Sequence, residues 1–245
     1  NLEPEDFALL TTEQISKLTT AQVSKLSDTM LQSLTTSQMS KLDDGQVTAL
    51  TTSQIGALSV EQVTAMTSTQ VKAMGTAQLN AMSADQVAAL GTEDVAVISA
   101  ANLSALSTAV MQSLTSSQVV SLTNTQLKAL DADQLTALDV GDVEGLSTAQ
   151  INQLTANQIS TLSTAFLEAL TTEQFGALTA TQFTALGSEQ VRGLADTKVA
   201  AMTSSQLRVL AIDELNAMSS IQIAAIETAD LAGLSGTQIT GLDTN

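Results

Sequence analysis

The stretch LDADQLTALDVGDVEGL places five carboxylates, Asp131, Asp133, Asp139, Asp142 and Glu144, close together along the chain. Oxygen donors at that density are what a calcium ion takes, but the spacing is not that of an EF-hand loop. Asp131 and Asp139 fall where a helix start favours a short acid, and Asp142 falls three residues into a helix, where an acid suits the positive end of the dipole. Helix capping therefore accounts for three of the five, and no metal site is expected. No other residue set supports stronger chemistry. His 0 and Cys 0 exclude imidazole-activated and thiolate nucleophiles and the usual zinc sites. The 12 glycines are scattered and form no phosphate-binding loop. The expectation is a protein that is not an enzyme and carries no cofactor.

Two other patterns have bland readings. Hydroxyl pairs such as Thr11–Thr12, Thr19–Thr20 and Thr51–Thr52 suggest a surface that orders water or glycans, but Ser59–Val60 and Gly75–Thr76 interrupt them. Capping explains the first member of each pair without a ligand. Asn102–Leu103–Ser104 is a single glycosylation sequon in a chain rich in Ser and Thr.

The elements that carry these residues come from a repeat of eight. Counting a at Thr11 and h at Leu18, the phase runs through 29 octads to Leu242 without insertion or deletion. Glu3–Leu10 is a degenerate thirtieth octad in the same phase. Position h is always Leu, Met or Ile, and position e is always apolar. Position a is Ser, Thr, Asp or Gly in 26 of 29, position d is Gln in 20, and position g is Ala, Gly or Ser in 22.

A continuous helix does not fit, because its apolar stripe would drift roughly 80° per octad. A β-solenoid requires period-two alternation, whereas the apolar pair at e and h is three apart. Ser or Thr at a with Gln at d is a capping box, and the flanking h and e form the hydrophobic staple. Pro4 falls at b, the first helical position, which tolerates proline best. Each octad is therefore expected to start its own helix of about seven residues, roughly two turns. With no linker the chain bends at each a and cannot reverse. The expected fold is an all-α solenoid, a superhelical rod of very short capped helices, with e and h inside and residues 1–245 forming one continuous unit. One octad cannot fold alone, but a stack can.

Composition narrows the partners. The chain is 44% apolar but 2% aromatic, with Trp 0 and Tyr 0, which suits a thin core of Leu, Val, Ile and Ala. A net charge of −17 argues against nucleic acid, and no apolar run approaches a membrane span. Met30, Val110 and Phe166 put apolar side chains at d, where Gln is the rule; either small shifts in winding bury them locally, or they are candidates for lateral contact with another chain. Leu2 already occupies an h position and Asp243 opens an unfinished octad, which suggests a window of a longer array or subunits stacked end to end. Residues 195–218 are expected to be the weakest stretch, because Ala195 and Ala211 lack a capping side chain and Lys198 stands at the positive end of a helix.

The octads, T-T-x-Q-[VI]-x-A-L, resemble the Thr/Ser/Gln/Ala/Leu-rich short tandem repeats of large bacterial secreted and surface proteins, adhesin-like or fibrous. That resemblance implies an extracellular or cell-surface location and a structural role, as a filament subunit or spacer assembling with itself. The alternative it implies is an adhesin or scaffold whose solenoid surface binds a protein or glycan.

Overall fold

The computed structural model describes residues 3–242. Leu2 and Asp243, where the octad phase enters and leaves, lie outside these residues. Among the described residues there are thirty α-helices and no strands, one helix per octad from Pro4–Ala8 to Gly236–Gly241. The helices span four to six residues, shorter than the seven expected. The reason is that h leaves the helix before a does. In the octad after Leu50, for example, Leu50 (φ −63°, ψ 133°) and Thr51 (φ −74°, ψ 163°) are both extended, and Thr52–Ala57 is helical. Two extended residues in succession swing the axis into the next helix. No described residue has positive φ, so the corner requires no glycine.

The helix starts follow the capping box. Thr51 Oγ1 accepts the Gln54 N–H at 3.2 Å, and Gln54 Oε1 accepts the Thr51 N–H at 2.8 Å. Thr179 and Gln182 repeat the arrangement at 3.3 and 2.8 Å. Within each of the two compact units described below, helices pack on the helix three places along the chain, so three octads complete one turn. The contacts group the chain into two compact units, Asn1–Ala129 and Leu130–Asn245, each built by this same rule.

Within each unit the core is the e and h side chains. Ile15, Val23, Leu31 and Ile55 are fully enclosed, and Leu34, Leu50 and Leu58 are buried beside them. In the second unit Phe175 and Phe183, at successive e positions, meet edge to face with centroids 5.4 Å apart. Small residues at g have a specific neighbour: a Cβ on Gly193 would lie 2.6 Å from Thr164 Cγ2, a b side chain of the preceding turn.

The two members of a Thr pair differ in role, which gives a test. Thr51 caps a helix, while Thr52 is exposed at the first helical position. Thr51→Ala should lower unfolding stability by about 1 kcal/mol, and Thr52→Ala should stay within about 0.5 kcal/mol. Urea melts of the two variants provide the comparison, and equal losses would contradict the capping assignment.

Candidate functional site

A helix that stops where the next begins leaves a carbonyl at h and an N–H at a with no helical partner. The d glutamine serves both, in two different turns. Gln54 is 2% exposed; its Oε1 holds the Thr51 N–H of its own octad. Its Nε2 donates to the carbonyls of Val23 and Leu26, 31 and 28 residues back, at 2.9 and 2.8 Å. Gln46 does the same to Ile15 and Leu18 at 3.0 and 2.7 Å, and Gln70 to Met39 and Leu42 at 2.9 and 2.8 Å. In the second unit Gln182 reaches Ile151 and Leu154, both at 2.9 Å. These amides form a ladder running through the interior, each one joining its own corner to the corner of the turn before.

The capping-box reading placed Gln at d for its oxygen alone and missed this second bond. A signal for it was present. The box accepts Glu or Gln, and the helix dipole favours Glu, yet only Glu214 among the d residues is a glutamate. That preference for the amide marks a required donor.

Departures from Gln change the ladder according to their chemistry. Asn102, one methylene shorter, still reaches the Met74 carbonyl at 3.0 Å, 28 residues back. Its amide is therefore committed to an inter-turn bond. Lys198 sends Nζ to the Leu170 carbonyl, at the C-terminal end of helix Thr164–Ala169, where a cation suits the dipole. The ladder donor is thereby retained, which offsets part of the weakness expected there. Ala195 and Ala211 do lack side-chain caps, and the Ala195 N–H is instead held by Glu168 Oε1 from the preceding turn at 2.8 Å. A carboxylate cannot donate, and three of the four acids at d turn to a hydroxyl one turn back. Asp94 Oδ1 accepts from Ser68 at 2.7 Å, Glu214 Oε1 from Ser188 at 3.3 Å, and Asp230 Oδ1 from Ser204 at 2.6 Å.

Of the two readings of the apolar d residues, burial describes Val110 and Phe166. Val110 and Phe166 are 7% and 2% exposed, pointing inward at the position the glutamine otherwise fills. Met30 is half-buried and lines a groove with Phe7, Leu18 and Leu26. At Val110 and Phe166 the side chain packs inside this chain, because d faces the core in this winding, whereas Met30 stays partly exposed.

The acidic stretch resolves into caps. Asp131 Oδ1 accepts the Gln134 N–H at 2.8 Å and Asp139 Oδ1 the Gly141 N–H at 2.9 Å, while Asp142 is buried at d. Among the described residues no three His, Cys, Asp or Glu side chains converge on a metal-sized site. No described helix is long and apolar enough to cross a membrane. One exposed acid is electrostatically marked: Glu61, in the first turn of Val60–Thr64. Its own backbone N–H, and then the Ser59 hydroxyl, hold its carboxyl below the usual carboxylate range. Its contribution is present above the unfolded pKa and fades as pH falls through the folded one.

With this geometry in view, the sequence comparisons have a physical meaning. The family model of the ALTTAQ repeat matches residues 39–76, 61–92 and 87–124. Residues 39–124 are similar to the ALTTAQ repeat. They are tandem copies of one short unit. No curated protein matches the chain. The six letters of the family description read from g to d of the octad, as in ALTTSQ at Ala49–Gln54. They therefore spell the corner: the apolar h, the capping a and the ladder glutamine. The ALTTAQ signature is a corner motif more than a helix motif.

Two substitutions test the ladder. Gln54→Ala removes an acceptor and two buried donors, and should destabilise by roughly 2–4 kcal/mol. Gln54→Glu keeps the acceptor but sets a carboxylate against the carbonyls of Val23 and Leu26. The folded pKa of that new carboxyl should therefore be raised. The variant should be worst at neutral pH and recover as pH falls, because the protonated acid regains a donor. Thermal melts of both variants across pH check this, and a pH-independent Gln54→Glu deficit would contradict it. In the opposite direction, Ala195→Thr combined with Lys198→Gln restores a full box and should stabilise by about 1–2 kcal/mol in urea unfolding.

Proposed function

We propose that the chain is a structural protein, an extracellular bacterial filament subunit or spacer that assembles with copies of itself or forms part of a longer array. The observation that carries this reading is the ladder. The bond pattern that joins one turn to the next is the same from Gln38 to Gln86 and recurs from Gln174 to Gln190. Such a rule specifies extension, since every turn offers the next the same carbonyls. It builds no unique pocket, and it holds length by backbone-directed bonds, which tolerate variation at the exposed b, c and f positions. The resemblance of the octads to repeats of fibrous bacterial surface proteins supports the extracellular setting, as does the large negative charge, which keeps such surfaces soluble.

Negative-stain electron microscopy of the native protein is the test. Filaments or rods of uniform width are expected. Discrete, compact particles that stay so at high protein concentration would overturn the reading.

A further inference from the structure

The ladder is missing for one whole turn. Asp94, Asn102 and Val110 occupy three successive d positions, and no other three consecutive octads between Thr11 and Leu242 lack Gln there. The turn 91–114 therefore sends no glutamine to the turn 67–90. Three h carbonyls, those of Met66 at the start of that lower turn and of Met74 and Met82 within it, lie where ladder donors would end. Among the described residues only the Met74 carbonyl accepts a side-chain donor, from Asn102 Nδ2 at 3.0 Å.

The same turn is weakly capped. Gly91 offers no side-chain cap, and the helices Ala100–Leu103 and Thr108–Gln112 start without a capping box. Val110, Leu79, Met82, Leu106 and Leu114 line an apolar void of about 10 Å³ at this seam, too small to hold a water molecule. What remains lies nearer to solvent. Ser68 donates to Asp94 at 2.7 Å, Thr76 donates to Asn102 Oδ1 at 3.2 Å, and Asn80 takes the Ser107 N–H at 2.8 Å while donating to the Ala105 carbonyl at 3.2 Å. Bonds to half-exposed partners compete with water, whereas the ladder bonds they replace are buried.

We propose that the seam between residues 67–90 and 91–114 is a built-in release point, at which the first unit opens before any of its fully laddered turns. A quasi-one-dimensional stack opens locally at its weakest interface, so the loss of three ladder glutamines together acts at one place. Opening there separates two intact stretches of array without unwinding either.

Hydrogen exchange on the full chain reads this directly. The amides of Val95, Leu103 and Met111 bond to their own a carbonyls at 2.9–3.1 Å, as do those of Val47, Ile55 and Val63 in the fully laddered turn 43–66. All six residues are at most 1% exposed, so local bonding and burial are matched. The first three should exchange about tenfold faster or more, by opening of the turn. The variant carrying Asp94→Gln, Asn102→Gln and Val110→Gln should bring the two sets together. Equal or slower exchange in the unaltered chain overturns the proposal, and so does a difference that persists in the folded variant. If the triple variant does not fold, Asn102→Gln, which only lengthens a side chain already bonded to Met74, should narrow the gap. An unchanged gap there counts against the proposal.

Discussion

Every corner of this chain joins two helices with no residue to spare, and the unmet backbone groups at that junction are the constraint on which the rest depends. Burying an h carbonyl and an a N–H without partners would be prohibitive once per octad. A single primary amide resolves both, because its oxygen accepts where its nitrogen donates. Gln at d has the reach to do so across a turn boundary. Gln54, for instance, meets Thr51 on one side and Val23 and Leu26 on the other. Winding with three octads per turn then follows as the arrangement that lays each d over the corner it must satisfy.

The substitutions at d support this account by failing in chemically distinct ways. Asn102 keeps the donor to Met74 but turns its oxygen to the Thr76 hydroxyl instead of its own corner, whereas Lys198 carries a donor and no acceptor. In the octad of Lys198 the lost acceptor is supplied from elsewhere, by Glu168 acting on the Ala195 N–H. Asn80 does likewise for Ser107, whose octad has Val110 at d. Acids turn from the carbonyls to serine hydroxyls at Ser68, Ser188 and Ser204.

The charge of −17 contributes little to cohesion. Among the described residues one ion pair forms, Arg192 with Glu189 at 3.1 Å, and both members are exposed, so its worth is small. Cohesion rests on the e and h side chains and on buried amide bonds, a combination that needs neither aromatic bulk nor disulfides. The same economy makes stability local. A turn is as firm as its own ladder, and defects such as the one at Asp94, Asn102 and Val110 are not shared across the array.

Much of the architecture was legible in the residues. The octad phase, the caps at a, the all-helical class and the inward e and h positions follow from side-chain chemistry within a single octad, and such local rules leave a visible period. Asp131 and Asp139 were readable as caps for the same reason. The inter-turn role of Gln was only half legible: the preference for amide over acid marked a needed donor but not its acceptor. The number of octads per turn and the burial of the d glutamines were decided by the tertiary structure alone. Each depends on which corner lies beneath which, and the acceptors of each ladder amide stand 28 and 31 residues away, beyond anything one repeat encodes.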